Sequence, residues 1–157
     1  MRHGEALESV VDPARPLSES GRAAVERVAA EAGRRGVHVS RICHSGILRA
    51  EQTAEALAQQ VGTGEPVEGR AGLEPEDSVD PIAHWLLELA HDSANESIAL
   101  VGHLPFLERL AASLLAGPNA PRAPGFQPAT LVKLVPSPDG RRFIVEWVIR
   151  PDAPAGL

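Results

Sequence analysis

The sequence has little of several things. It contains one cysteine, no tyrosine, three phenylalanines and two tryptophans among 157 residues. A single cysteine excludes an internal disulfide and is typical of a reducing compartment. So few aromatic side chains leave no stacking platform for single-stranded nucleic acid. Basic residues are also in the minority, and the net charge of −6 argues against a broad nucleic-acid surface, although not against a small positive pocket.

Long apolar runs are missing as well. No stretch approaches the ~20 residues that span a bilayer, and charged residues follow Met1 directly, without the apolar core of a signal peptide. We therefore expect a cytoplasmic protein without membrane attachment. The length predicts one domain over residues 1–157, with 151–157 as a loose tail.

Four segments have the apolar spacing of amphipathic helices. Ser18 is suited to cap the first, Gly36 to end it, and Pro81 to the first turn of the third. The predicted helices are residues 18–36, 46–62, 80–92 and 105–117.

Strand patterns alternate with these helices. Residues 37–45 alternate in polarity, and residues 97–102 form an apolar run typical of a strand buried on both faces. Residues 129–151 predict a hairpin that turns at Asp139-Gly140, and one further short strand is expected near Val67. Proline and glycine mark a loop over 117–128. This order predicts an α/β fold, a three-layer α/β/α sandwich with a mainly parallel central sheet.

Ligands of such sheets bind beyond the carboxyl ends of the strands. Two strand ends deliver Ser45 and Arg49 on one side and His103 on the other to this edge. Helix N-termini attract anions, and an arginine grips two phosphate oxygens at once. The predicted ligand is therefore a tetrahedral oxyanion, most simply phosphate.

The amino end adds the sequence MRHGEA. An imidazole nitrogen attacks phosphorus and gives a phosphohistidine intermediate, so His3 is a candidate nucleophile. Arg2 beside it would neutralise charge on the transferring group, and Gly4 would let the backbone approach the ligand.

A competing pattern is CHSGILR, residues 43–49, which is similar to the phosphate loop of cysteine-dependent phosphatases. Ile42 and Ala50 stand where those enzymes carry the histidine and hydroxyl residue that steady the thiolate. Cys43 also belongs to an alternating apolar strand, so a buried structural thiol is the better interpretation. The other histidines (His38, His44, His84, His91) lack metal-ligand spacing, and no metal or other cofactor is expected.

Four segments occur in the order seen in the histidine phosphatase superfamily, the phosphoglycerate-mutase-like enzymes. They are RHGEA at the start, RPLSESG at 15–21, SGILRAEQTAEAL at 45–57 and VGHLP at 101–105. The chain most resembles the small SixA-type phosphohistidine phosphatases. The resemblance implies that His3 is the nucleophile, that Arg2, Arg49 and His103 bind the phosphoryl group, and that Gly4, Ser45 and Glu5 contact the substrate, Glu5 being alternatively a simple surface residue.

The sequence departs from this family in two places. Family members carry an apolar strand before the RHG motif, whereas Met1 alone precedes it here. Either the true start lies upstream, or the strand is lost, His3 lacks a rigid mount and the site is impaired. The general acid of the larger relatives has no clear counterpart, and Glu74, Glu76 and Asp77 are its candidates.

The resemblance implies hydrolysis of phosphohistidine on a partner protein, such as the phosphotransfer domain of a signalling relay, through a covalent phosphohistidine. Two alternatives stay open. One is a phosphatase for small phosphomonoesters with the same site residues. The other is a non-catalytic binder of phosphate or phosphoprotein, suggested by the missing strand.

Overall fold

The computed structural model describes residues 1–62, 64–92, 96–116 and 125–153. The elements in this part of the chain alternate between helix and strand and end in a hairpin. In chain order they are α1 (Glu19–Arg34), β1 (Arg41–His44), α2 (Leu48–Val61), β2 (Glu68–Gly69), α3 (Asp80–Asp92), β3 (Ile98–Val101), α4 (Phe106–Ala116), β4 (Leu131–Pro136) and β5 (Phe143–Ile149).

The named strands form two sheets, a parallel one of three strands and an antiparallel one of two strands. Strand β1 lies between β2 and β3 and is parallel to both, with Cys43 opposite Glu68 on one side and Leu100 on the other. Strands β4 and β5 form the predicted antiparallel hairpin, which turns at Asp139-Gly140 with a positive φ of 67° at the glycine. The prediction of a mainly parallel sheet is confirmed.

Two apolar cores lie on opposite faces of the parallel strands. Ile42 packs into the core formed with α1 and α2, whereas its neighbour Cys43 packs into the core formed with α3 and α4. Successive side chains of a strand point to opposite faces, so the two cores define three layers. The predicted α/β/α sandwich is present.

The helix boundaries follow local signals in the sequence. The Ser18 hydroxyl accepts a 3.0 Å hydrogen bond from the N–H of Gly21 and caps α1. Gly36 and Gly62, just past the ends of α1 and α2, adopt the left-handed backbone that stops a helix. Val25, Val28, Ala29 and Ala32 form the buried stripe of α1, as its spacing predicts.

Strand β3 differs from its prediction. Only Val101 is fully buried, and the other three residues are partly exposed. One edge of β3 pairs with β1, but the other edge faces a cavity of about 410 Å³ that separates it from β4. The predicted strand over 37–45 is also shorter, because extended pairing begins only at Arg41.

The first three residues close the end of this gap next to the site. The N–H of Gly102 donates to the carbonyl of Met1 (3.1 Å), and the N–H of His3 donates to the carbonyl of Gly102 (3.0 Å). On the other side, Arg2 N–H donates to Thr130 and Ala129 N–H to the carbonyl of His3, both at 3.0 Å. The alternative in which His3 lacks a rigid mount is therefore wrong, since its backbone is paired on both sides.

No helix in the described ranges is both long and apolar enough to cross a membrane. Most of the predicted Pro/Gly loop (117–124) and the end of the predicted tail (154–157) lie outside the described residues.

Candidate active site

The carboxyl ends of the parallel strands meet at one edge, as the sequence predicts. Ser45 directly follows β1. Gly102 and then His103 follow β3, and Gly102 forms a parallel bridge with Arg2. Gly46, with φ of 87°, turns the chain from β1 into α2 and so places Arg49 in the first turn of that helix. The three chain segments therefore bring His3, Arg49 and His103 together.

The orientation of His3 fixes its tautomer. Its Nδ1 lies 2.6 Å from the carbonyl oxygen of Gly4. A carbonyl only accepts hydrogen bonds, so Nδ1 carries the proton and Nε2 keeps its lone pair. Arg49 Nε–H approaches that Nε2 at 3.4 Å. The Nε2 lone pair of His3 therefore accepts from the arginine guanidinium, a cation that would also attract an anion.

His103 forms the opposite wall. It is only 2% exposed, and its ring lies 4.9 Å from the His3 ring, centroid to centroid. Its Nε2 is 2.7 Å from the hydroxyl oxygen of Ser45, which also accepts from the N–H of Ile47 at 3.3 Å. Ser45 thus connects His103 to the start of α2.

Two arginines supply the positive charge. Burial lowers the pKa of both Arg2 and Arg49, yet a guanidinium stays charged in proteins. Arg2 donates from Nη1 to the carbonyl of Phe126 at 2.7 Å, while its Nε is buried with no partner in the described part of the chain. Ile47 gives α2 no side-chain cap, which leaves the first N–H groups of that helix available to an anion.

The same environment keeps both imidazoles neutral. Burial, followed by the charges of Arg49, Arg2 and Arg15 and opposed by the Gly4 carbonyl, lowers the pKa of His3 to about 4. Burial first, then His3 and the arginines, lowers the pKa of His103 to about 3. At pH 7, His3 therefore holds an unprotonated nitrogen, which is the form that attacks phosphorus.

These lowered pKa values predict how stability depends on pH. In the unfolded chain both histidines take up protons near pH 6.5, whereas in the folded protein they do so only near 4 and 3. Because the unfolded state then binds more protons, the free energy of unfolding is expected to fall as the pH drops below about 6.5. Urea denaturation between pH 8 and 5 measures this slope. The slope should flatten in His103→Gln; an equal slope in that variant would contradict the assignment.

Gly4 and Glu5, the other residues predicted to contact the substrate, have structural contacts of their own. A Cβ on Gly4 would lie 2.7 Å from Val25 and 2.9 Å from the carbonyl of Gly21, so the glycine permits close packing on α1. The side chain of Glu5 is exposed, and the contacts described for Glu5 run from its backbone carbonyl to Ser18.

The candidate general acids lie in a separate loop. There, Asp77 accepts from the N–H of Glu74, and Arg109 donates to the carbonyls of Pro75 and Asp77. None of the described contacts joins Glu74, Glu76 or Asp77 to His3, and the general acid stays unassigned.

Two neighbouring side chains of α2 have roles that the sequence did not predict. The Thr53 hydroxyl donates to the carbonyl of Arg49 (2.7 Å) and accepts from the N–H of Gly4 (3.1 Å). The Gln52 amide oxygen accepts from the N–H of Leu17 at 2.8 Å. Thr53 has the spacing of a core residue, which conceals its polar contacts. Thr53 and Gln52 therefore hold Gly4 and Leu17 against α2, the helix that carries Arg49.

Replacing Thr53 with valine is expected to destabilise the protein by about 1–3 kcal/mol, because the buried N–H of Gly4 loses its acceptor. The same change should reduce kcat/KM by up to ~100-fold, since the backbone at His3 and Gly4 would shift relative to Arg49. Thermal unfolding and steady-state kinetics measure the two effects. Thr53→Ser keeps the hydroxyl and is the control; a valine variant as stable and active as the serine variant would refute the role.

A third unpredicted residue is Arg15, whose backbone has a positive φ of 49°. Its Nε–H donates to the carbonyl of Leu7 at 3.1 Å, and its charge contributes to the lowered pKa of both His3 and Arg49. The sequence shows this arginine only as part of the RPLSESG segment. Its place near the pocket depends on the folding of the loop.

Cys43 takes no part in this arrangement. Its side chain is fully buried in the core with α3 and α4, and burial, followed by the charge of Glu68, raises the pKa of the thiol. A protonated, inaccessible thiol is a poor nucleophile. Within the described residues, no three His, Cys, Asp or Glu side chains are placed to hold a metal ion.

Known proteins share both the sequence pattern and the fold. Residues 1–77 match the model of the histidine phosphatase superfamily (branch 1). The phosphohistidine phosphatase SixA of Escherichia coli strain K12 is 30% identical over 122 residues, which cover 77% of this chain and 75% of that protein.

Solved structures extend the similarity to nearly the whole chain. The structure of the protein histidine phosphatase SixA complexed with tungstate has a TM-score of 0.82 and 27% identity, covering 96% of this chain and 94% of that one. A mycobacterial glucosyl-3-phosphoglycerate phosphatase in complex with VO3, 20% identical with a TM-score of 0.66 over 93% and 95% of the two chains, shares the fold alone. The resemblance predicted from the sequence is confirmed: the chain belongs to the histidine phosphatase superfamily and is a SixA-like phosphatase.

Proposed function

We propose that this phosphatase hydrolyses phosphohistidine on a partner protein through a covalent intermediate on His3. The observation that carries the proposal is the His3 imidazole itself. Its Nδ1–H is bound to the Gly4 carbonyl, and its Nε2 lone pair lies beside Arg49 and opposite His103. SixA of Escherichia coli, the relative at 30% identity, is named as a phosphohistidine phosphatase.

In the proposed reaction, Arg2, Arg49 and His103 bind the phosphoryl oxygens, with Ser45 steadying His103. The guanidinium groups of Arg2 and Arg49 are the cations that would hold the phosphoryl oxygens, and Arg49 lies against the attacking Nε2 of His3. The binding of tungstate by the solved SixA relative is consistent with a pocket for a tetrahedral oxyanion. Gly4 and Glu5 are proposed to line the approach of the substrate.

The chemistry has two steps. The Nε2 lone pair of His3 attacks phosphorus, a new N–P bond forms, and the P–N bond to the substrate imidazole breaks. The leaving imidazole takes a proton from water or from a nearby carboxylate. Water then attacks phospho-His3, releasing inorganic phosphate and regenerating His3. Charge on the transferring group is stabilised by the fixed arginines, which is where most of the rate enhancement of such reactions arises.

A second candidate is a phosphatase for small phosphomonoesters. An open depression of about 520 Å³ adjoins Arg2 and is lined by Glu108, Gln127 and Arg150 among others. These polar side chains would suit the hydroxyl or carboxylate groups of a small phosphorylated metabolite. The non-catalytic alternative has less support, because the backbone of His3 is held on both sides.

The test compares kcat/KM for a phosphorylated histidine phosphotransfer protein with that for p-nitrophenyl phosphate and a sugar phosphate. We expect the phosphoprotein to be preferred by at least ~100-fold, about 2.7 kcal/mol of transition-state stabilisation. A preference for a small ester would establish the second candidate. Phosphate binding without turnover of any substrate would establish a binder. The expected cytoplasmic location stays part of the proposal.

A further inference from the structure

We infer that the loop over residues 7–16 docks the protein substrate, with Val10 and Val11 at its tip contacting an apolar patch beside the phosphorylated histidine of the partner. This inference rests on the proposed function and names the surface through which that site selects a protein.

The tip is exposed to an unusual degree. Val10 is 87% and Val11 is 68% exposed. In the described part of the chain only two other large hydrophobic residues, Ile144 and Val145, are exposed, at 44% and 38%. A single exposed apolar side chain is ordinary in a folded protein. Two adjacent valines projecting from one loop form a small apolar contact surface.

The loop holds these valines in a defined conformation. The N–H groups of Val11 and Asp12 both donate to the carbonyl of Glu8, at 2.9 and 3.0 Å, and Arg15 N–H donates to the carbonyl of Asp12 at 3.0 Å. Leu7 N–H closes the base on Pro16 at 2.8 Å. A surface that is already ordered loses less conformational entropy when it binds.

The loop also lies beside the catalytic pocket. It begins at Leu7, four residues after His3, and the Ala6–Leu17 bridge ties its two ends together. The charge of Arg15, at the end of the loop, acts on both His3 and Arg49. Val11 is four residues before Arg15, so their Cα atoms are at most about 14 Å apart.

The size of a protein interface favours contact with the tip. A stable interface covers ~800 Å² on each partner, a disc about 30 Å across. We therefore expect a protein whose phosphohistidine sits against His3 to contact the tip, whereas a small phosphorylated molecule has no surface of that extent. An anionic membrane is a poorer occupant, since the acidic residues Glu8 and Asp12 flank the two valines.

The experiment uses the double variant Val10→Ser/Val11→Ser. We expect kcat/KM for a phosphorylated histidine phosphotransfer protein to fall at least tenfold, mainly through a rise in KM. The rate of phosphoimidazole hydrolysis and the melting temperature should stay unchanged. The matched control is Ile144→Ser/Val145→Ser, which removes the other exposed apolar pair and should leave both activities unchanged.

Each other outcome overturns the inference in a recognisable way. Unchanged activity on the phosphoprotein removes the docking role alone. Equal losses on protein and phosphoimidazole mean that the loop shapes the pocket. An equal loss of activity on the phosphoprotein in the control variant means that the effect comes from lower surface hydrophobicity in general and not from the loop tip. Valine-dependent binding to phosphatidylglycerol vesicles, or valine-dependent dimerisation, identifies another occupant. A wild-type protein that cleaves phosphoimidazole but not the phosphoprotein overturns the proposed function itself.

Discussion

Replacing His3 with alanine is expected to lower kcat/KM by at least ~10⁴-fold, as removal of a covalent nucleophile does in other hydrolases. The reason is geometric. The Gly4 carbonyl fixes the proton on Nδ1, and Nε2 is the unprotonated nitrogen next to Arg49. The pKa of about 4 keeps that nitrogen unprotonated at neutral pH. The measurement is release of phosphate from the phosphorylated partner protein under single-turnover conditions.

Two variants control this result. His84→Ala removes an exposed histidine whose described partner is Glu88 on the same helix, and it should retain full activity. Cys43→Ser tests the thiol mechanism and should remain active. Some loss of stability is expected in this variant, because the new hydroxyl is buried. Loss of activity in Cys43→Ser together with retention in His3→Ala would reverse the assignment of the nucleophile.

Replacing Arg49 with alanine is expected to lower kcat by about 10³-fold, the scale on which a catalytic arginine acts in phosphoryl transfer. Its guanidinium lies against His3 Nε2 and is held by the first turn of α2. Arg49→Lys should recover little of this loss, because an ammonium cannot grip two phosphoryl oxygens in a fixed plane. Inhibition by tungstate should weaken in parallel with catalysis.

A spectroscopic readout separates a direct role of Arg49 from general damage to the fold. The positive charge of Arg49 contributes to the low pKa of His3, so an NMR titration of Arg49→Ala should show this pKa rising. Arg27→Ala, which removes an exposed arginine of α1, should change neither the pKa nor kcat. A His3 pKa that does not rise in Arg49→Ala would contradict the contact between Arg49 Nε and His3 Nε2.

The helices could be predicted because their signals are local. Each buries one stripe of side chains at helical spacing, and Ser18, Gly36 and Gly62 mark boundaries through the conformations of their own backbones. The extent of burial of β3 could not be predicted in this way. The burial of β3 depends on what lies along its second edge, and the sequence of β3 does not indicate that this edge faces a cavity.

The site divides along the same line. The convergence of Arg49 and His103 could be predicted because both follow parallel strands of one sheet. His3 could be added only from the RHG motif and its resemblance to the family. Thr53 could not, because its spacing is that of a core residue and its partners, Gly4 and Arg49, come from different segments. Arg15 lies in a loop, and its positive φ of 49° is a backbone conformation that the spacing of residues does not reveal.

The concentration of Arg2, Arg15 and Arg49 around one pocket, on a chain of net charge −6, affects the rate of encounter with a substrate. At long range an acidic phosphoprotein meets a negative molecule and is repelled. At 0.1 M salt the Debye length is only ~10 Å, so the three arginines attract a phosphoryl group only when it is nearly in place. Added salt screens the distant repulsion as well as the local attraction. The association rate should therefore vary little with ionic strength, in contrast to the steep fall typical of proteins that steer anions with a broad basic face.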